Sequence, residues 1–396
     1  MKLYKVLEKK DKTESNYIKP SLKELLKQRA TGKTDKVLML ITILITMFGI
    51  LMVYSASSYT AQVRYDDSFY YMKKQVLGAL LGAAAMTGLT YCNYHILDRL
   101  KLPILIVCVI LLGVVFIPGV GLSNYGANRW IDLPGFTIQP SELAKFAFII
   151  FTAGYMSSRQ HKMKTFLGIL PVLGAGGLIA LLIILEPNMS ITVCVILLML
   201  VMLFLGGTRI KHFVILLIPV VALVPILILI EPYRMNRLSA FLNPWASPLE
   251  EGFQLIQSYY SLGSGRLFGV GLFNSRQKYL FLPFSESDFI FSIIGEELGL
   301  FGSIVTMAIF CIIIYRCIRI AINAHDRLGC YMASGIGAII AIQVAVNIAV
   351  VTGSIPPTGL PLPFVSAGSS SLVVFMGGIG IVQNIARHGN KDITIS

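Results

Sequence analysis

Leu282–Gly302 reads LPFSESDFIFSIIGEELGLFG, and the placing of charge within this apolar run decides the fold. Asp288 stands where a polar loop re-enters hydrophobic sequence, with Glu296 and Glu297 about two helical turns deeper. An ionisable side chain inside hydrocarbon costs about 2.5–3.5 kcal/mol on insertion scales, so such residues mark working sites. The run is preceded by a polar stretch, 231–287, that is 57 residues long. A turn between two membrane helices needs far less. Charge at depth beside a long loop points to chemistry at a membrane surface.

The rest of the chain agrees with a membrane setting. It is 55% hydrophobic and 13% charged, with mean hydropathy +0.75, which excludes an ordinary soluble domain. Apolar runs near 37–55, 75–91, 102–118, 143–157, 166–185, 189–206, 212–230, 288–315, 329–351 and 366–386 predict an all-α polytopic membrane protein of about ten transmembrane helices. Residues 1–36 carry 11 Lys/Arg and no apolar core, so they read as a basic cytoplasmic tail and not as a cleavable signal. Residues 37–387 form the membrane domain and 388–396 a second tail.

Beginning inside, the inner segments hold 23 of the 33 Lys/Arg, which places both termini in the cytoplasm and 231–287 outside. The tail's charge suits anionic lipid; without interleaved aromatics or a folded frame it does not suit nucleic acid. Five basic residues in the outer loop (Arg234, Arg237, Arg266, Arg276, Lys278) run against the sign bias. Either this is chance in a long loop, or the loop meets an anionic substrate. Cysteines 92, 108, 194, 311, 317 and 330 show no CxxC spacing, which suggests neither a disulfide frame nor a zinc site. All five histidines fall on the inner side, so outer-face chemistry would use carboxylates, Lys/Arg, hydroxyls or a borrowed metal ion.

Four outer segments stand out. Val120–Lys145 is a folded loop with an interfacial Trp, ending in a helix start at Pro140-Ser141-Glu142. Lys145 follows Glu142 by one turn, so the two can pair at the helix end, or Arg129 and Lys145 can face an anion in an outward cavity. Glu186-Pro187-Asn188 joins two spans and holds Glu186 near the surface, as a solvated carboxylate or a site residue. Gly252–Leu262 puts Gln254, Gln257, Ser258 and Ser261 on one helical stripe, as for a helix lying in the interface. The glycines after it do not have GxGxxG spacing and follow no strand, so they are turn chemistry. Thr352–Ser371 has four prolines between two spans, and such irregular backbone is tolerated only when buried in protein or lining a wet cavity. Ser292, Gly295, Gly299 and Gly302 make a small-residue stripe, for close packing within the chain or for a partner.

Taken together, NRWIDLPGFTIQPSELAK, RLSAFLNPWASPLEEGFQLIQSYYSLGSG, GLFNSRQKYLFLPFSESDFIFSIIGEELGLFG and TGLPLPFVSAGSSSL resemble the SEDS family (shape, elongation, division and sporulation). The resemblance covers nearly everything after residue 37 and is closer to the FtsW and SpoVE branch than to RodA. It implies a peptidoglycan glycosyltransferase that polymerises lipid II into glycan strands at the outer face of a bacterial cytoplasmic membrane. It also implies a class B penicillin-binding transpeptidase as partner. Asp288 corresponds to the family's essential aspartate by its place before FIF and GEELG. The chain departs from the family pattern at Asn188, where an acidic residue is usual, at Phe284, where Glu is frequent, and at Ala367, where Tyr is usual.

A pyrophosphate donor carries its own leaving group, so the carboxyl pair of a glycosidase is not needed and one base can suffice. Asp288 is the expected catalytic residue. Arg129, Glu142, Lys145, Glu186, Arg276, Lys278, Ser366 and Ser370 are the expected substrate-binding residues. The sequence offers no metal cage, and a divalent cation such as Mg or Mn would be held chiefly by substrate phosphate and Asp288. The competing readings are a lipid II flippase and a non-catalytic scaffold for the transpeptidase. No internal repeat supports the flippase.

Overall fold

The computed structural model describes residues 32–117, 121–124, 127–133, 136–216, 218 and 232–389. Helices α1 (Lys36–Tyr65), α2 (Tyr70–Tyr91) and α3 (His95–Val114) lead into an antiparallel sheet of three short strands. These are β1 (Gly121–Asn124), β2 (Ala127–Leu133) and β3 (Phe136–Ile138), paired in sequence order. Then come α4 (Pro140–Ser158), α5 (Phe166–Leu185) and α6 (Met189–Leu205). Two short helices, α7 (Pro232–Leu242) and α8 (Phe253–Gly265), lie in the long loop, followed by α9 (Ile290–Asn323), α10 (Arg327–Val351) and α11 (Ser369–His388).

Nine of the ten expected spans fall on these helices; the tenth, 212–230, lies mostly outside the described residues, as do most of both tails. By length and apolarity alone α1, α5, α9, α10 and α11 can each cross a membrane. The sheet adds to the helical expectation. A strand meander satisfies the backbone of a Gly- and Pro-rich segment that cannot continue as helix.

The middle of the molecule is α4, on which nearly every side chain from Pro140 to Met156 is buried, with α10 and α11 beside it. The outer helices turn bulky apolar groups outward, for example Leu80 and Phe301, 65% and 64% exposed. Polar groups lie inside. That inversion is what a lipid solvent imposes. At one end of the bundle Asp35 caps α1 through Leu38 N, pairs with Arg316 of α9 and exchanges two bonds with Gln383 of α11. Asp288 lies toward the other end.

The decisive irregularity is in α9. At Gly299 (φ 68°, ψ −165°) the helix breaks, in a region of backbone space that is essentially Gly-only. Continuous helix would bond Leu300 N to Glu296 O and Phe301 N to Glu297 O. Instead those carbonyls accept from Val270 N and Gly271 N (2.9 and 3.0 Å), while Leu300 N and Phe301 N donate to Arg266 O and Leu267 O (2.9 and 3.0 Å). Residues 266–271 thus splint the break. A Cβ on Gly299 would lie 2.4 Å from Gly269 N, and one on Gly269 2.1 Å from Glu297 O.

The small-residue stripe is consumed inside the chain. Ser292 and Gly295 face α8, where Ser258 Oγ lies 2.8 Å from Ser292 Oγ and Ser261 Oγ donates to Ser292 O at 2.9 Å. The expected interfacial orientation of α8 is therefore corrected: its serines point into the protein, because small residues opposite let it dock by hydroxyl bonds.

Gly299→Ala should lower stability in detergent by about 2 kcal/mol or more, from left-handed strain plus the clash with Gly269. Gly174→Ala on α5, where a Cβ meets open space, should leave the melting temperature equal or higher. Equal melting of wild type and Gly299→Ala would remove the splint.

Candidate functional site

Asp288 is placed by its backbone. It precedes the short first part of α9, so its carboxyl sits beside a helix N-terminus. A tight turn at Phe284 (φ 56°) takes bonds from Ser287 N and Phe289 N. Three successive carbonyls are then tethered. Glu286 O accepts from Ala367 N (2.8 Å), Ser287 O from Ser366 Oγ (2.5 Å) and Asp288 O from Asn347 Nδ2 (2.8 Å). Asn347 also donates to Leu360 O (2.7 Å), and Gln75 of α2 clamps Ser366 O and Gly368 N. Gly359 leaves room for the carboxyl, since a Cβ there would lie 3.0 Å from Asp288 Oδ2.

The carboxyl of Asp288 is half-buried, and burial pushes it up to about 6, with Glu286 adding to the rise and Arg237 and Arg129 opposing it. The two guanidinium groups come from separate segments. Arg129 on β2 donates to Glu186 O (3.2 Å) and Pro187 O (2.6 Å), and Arg237 on α7 donates to Pro357 O (3.1 Å). Burial pushes Glu286 up as well. Glu186 is fully buried, neither of its carboxyl oxygens has a hydrogen-bond partner among the described residues, and burial lifts it to about 8 against the pull of Arg129.

The other expected site residues divide sharply. Arg276 is exposed, its backbone N donating to Glu296 Oε1 at 2.9 Å. Lys145, expected to face an anion, instead has no exposed surface; its Nζ donates to Glu142 Oε1 (2.7 Å) and Gln343 Oε1 (3.0 Å). Ser371 Oγ closes that network on Glu142 Oε2. Lys278 is likewise turned inward, to Phe273 O (2.6 Å) and Glu297 Oε1 (3.4 Å). Ser366 and Ser370 are buried in backbone bonds, the latter accepting from Gln139 N. Arg276 is open to solvent, whereas Glu142, Lys145, Lys278, Ser366 and Ser370 are turned into the protein and bonded there. In each case a lone charge or hydroxyl in the interior would be costly, and a partner distant in sequence removes that cost.

Arg237, Asn347, Gln343 and Gln75 were not among the expected site residues. Arg237 was visible only as one of five basic residues. Asn347 and Gln343 lie one turn apart inside the apolar run 329–351, and two amides at that depth were the signal available. Gln343 Nε2 reaches Pro361 O at 3.4 Å, next to the Leu360 carbonyl that Asn347 holds. Among the described residues no group of three or more His, Cys, Asp or Glu could hold a metal. Asp288 and Glu286 are two carboxylates of the kind that hold Mg together with substrate phosphates.

Residues 35–391 match the family described as "Cell cycle protein", that of FtsW, RodA and SpoVE. Stage V sporulation protein E of Bacillus subtilis (strain 168) is 42% identical over 362 residues, covering 90% of this chain and 99% of that one. A probable peptidoglycan glycosyltransferase FtsW of Geobacter sp. (strain M18) is 39% identical over 355 residues, covering 89% and 96%. Among solved structures, a chain from a work on the structural coordination of polymerization and crosslinking by a peptidoglycan synthase complex matches with TM-score 0.74 at 26% identity, covering 89% and 98%. The rod shape determining protein RodA of Thermus thermophilus shares the fold at TM-score 0.66 and 23% identity, covering 91% and 98%. Fold and site define a multi-pass helical membrane protein with one tethered carboxylate among arginines. The chain belongs to the FtsW, RodA and SpoVE family.

Glu186 supplies a pH test. Its carboxyl is raised from 4.5 to about 8 in the fold, so between those values the native state keeps a proton that the unfolded chain releases. Native stability from this group therefore falls as pH rises from 4.5 and levels off above about 8. Glu186→Gln should gain on wild type over that window, by a few kcal/mol in total, in melts taken at stepped pH. A difference independent of pH would mean that Glu186 is ionised in the fold.

Proposed function

We propose that this chain is a peptidoglycan glycosyltransferase that polymerises lipid II at the outer face of a bacterial cytoplasmic membrane. The observation that carries this reading is Asp288: half-buried, raised to about 6, tethered through Asn347, and within electrostatic reach of Arg129 and Arg237. A base of that strength is ionised at neutral pH and still takes a proton readily. Asp288 accepts the proton of the acceptor sugar hydroxyl as that oxygen bonds to the donor's anomeric carbon. The bond from that carbon to the pyrophosphate oxygen breaks, and the lipid pyrophosphate leaves without needing an acid. A single displacement of this kind inverts the anomeric centre. Arg129, Arg237 and exposed Arg276 offset the pyrophosphate charge. A Mg or Mn ion would be held chiefly by the substrate phosphates and Asp288, and would neutralise pyrophosphate charge there.

The relatives' names support the activity, and the inner bias of Lys/Arg supports the placing of Asp288 outside. The synthase-complex neighbour supports a transpeptidase partner, which we take to be a class B penicillin-binding protein.

Purified protein should polymerise labelled lipid II with its partner and a divalent cation, and Asp288→Ala should make no polymer while remaining folded. Polymerisation by Asp288→Asn at the wild-type rate would remove Asp288 as the base, and no polymer from folded, partner-bound wild type would move the assignment to a scaffold. The rate should fall about tenfold per pH unit below about 6, as the base is protonated. A profile flat down to pH 5 would exclude Asp288 as the base.

A further inference from the structure

Helix α1 is longer than a membrane requires. Its 30 residues span about 45 Å, against a hydrocarbon core of about 30 Å. The apolar part ends near Val53, and the remainder, YSASSYTAQVRY (54–65), is polar with three tyrosines. Contacts fix its level. Ser285 Oγ donates to Ala56 O (3.2 Å) and Ser55 Oγ to Glu297 Oε1 (2.6 Å), so the turn carrying Asp288 lies beside residues 55–56. Residues 57–65 then rise about 13 Å above it. On α2, Gln75 grips the 366–368 segment that tethers Ser287, and Tyr70 and Tyr71 stand about one turn higher.

At that height aromatic rings converge. Tyr65 stacks on Tyr70 (centroids 3.8 Å apart, planes at 13°), and Tyr71 meets both edge-on at 5.9 and 5.3 Å. Lys74 Nζ lies 4.4 Å over the Tyr70 ring and donates to its hydroxyl. Arg64 lies within electrostatic reach of Glu286, which in turn acts on Asp288. Tyr65 is 47% exposed. An interfacial aromatic belt is the plain alternative, but headgroups add only about 5–8 Å beyond the hydrocarbon. Tyr65 lies twelve residues, about 18 Å, beyond the end of the apolar part of α1, above that layer.

The exposed ring of Tyr65, backed by half-buried Tyr70 and Tyr71 and edged by hydroxyls and cations, matches a saccharide. The C–H face of a pyranose is weakly positive and lies flat on the negative ring face, while the cations meet carboxylate substituents. We propose that Tyr65, Tyr70 and Tyr71, edged by Arg64 and Lys74, form a saccharide-binding platform that carries the elongating glycan strand just beyond Asp288. The inference rests on the glycosyltransferase reading. The platform acts on strand retention, so its loss shortens chains more than it slows each addition.

The test uses the full chain with its partner, labelled lipid II, and product lengths resolved on gels. Tyr65→Ala/Tyr70→Ala should shorten the mean product about threefold to tenfold with the initial rate of lipid II use nearly unchanged. Tyr65→Phe/Tyr70→Phe keeps the ring faces and should keep long products. Should the alanine pair fail to fold, Tyr65→Leu/Tyr70→Leu removes the π-faces at similar bulk and is read in the same way. Unchanged lengths in a variant that melts and binds its partner like wild type would overturn the platform. Lost partner binding with full-length products would also overturn it, and would assign the surface to a protein contact. A second arm titrates lipid-free, uncrosslinked glycan strands against the full chain. Binding weakened about threefold or more by the alanine pair supports the platform, and equal binding overturns it. If wild type makes no polymer, the enzyme reading has failed, while the titration still decides whether the tyrosines bind glycan.

Discussion

A helix that breaks inside a membrane strands backbone donors and acceptors where water cannot satisfy them, and the structure depends on how this chain meets that problem. Segment 266–271 supplies both the acceptors and the donors that Gly299 takes out of register. The exchange has a steric condition. Gly269 and Gly299 both need positive φ and no side chain, because two backbones run in contact there. Its result is a short, separately oriented helix after Asp288. The length of the 231–287 loop then has a reason: part of it is the missing strand of the broken helix.

Glu296 and Glu297 follow from the same break. They lie deep in the apolar run, yet they do not face a substrate. Glu296 accepts from Ser275 Oγ (2.6 Å) and Arg276 N, while Glu297 accepts from Ser55 Oγ and Lys278 Nζ. Two carboxylates thereby stitch the loop to α9 and to α1. A comparable network of Glu142, Lys145, Gln343 and Ser371 joins α4, α10 and α11, and through Gln343 it reaches the loop that Asn347 holds against Asp288. Buried ion pairs add little net stability, but breaking one is costly, so such networks favour a single arrangement of helices. Here that arrangement aims one carboxyl.

The three departures from the family pattern become intelligible in this frame. Asn188 Oδ1 accepts from Ile191 N at the start of α6, a capping task that Asn performs as well as Asp. Phe284 occupies the positive-φ position of the turn before Asp288, where backbone bonds matter more than the side chain. Ala367 contributes its N–H to Glu286 O, which any residue but proline could supply. Each of the three positions makes a backbone or capping bond in this chain.

Apolar runs, the inner bias of basic residues and the position of Asp288 before an apolar helix were legible in the chain. Each is a local pattern that records the solvent a segment will meet. The sequence setting of Asp288 already marked it, although the groups that tether its segment, Asn347 and Ser366, lie 59 and 79 residues away from the carbonyls they hold. The roles of the other charges were not legible in that way. Lys145 and Gln343 are 198 residues apart, and Lys278 and Ser55 are 223 apart. Whether a lysine meets a substrate or a buried carboxylate depends on which helices become neighbours. Arg237 reached the site for the same reason, by the folding of the long 231–287 loop against Pro357, 120 residues away. Local periodicity determines which segments enter the membrane, whereas burial and pairing of charge exist only after the helices have packed.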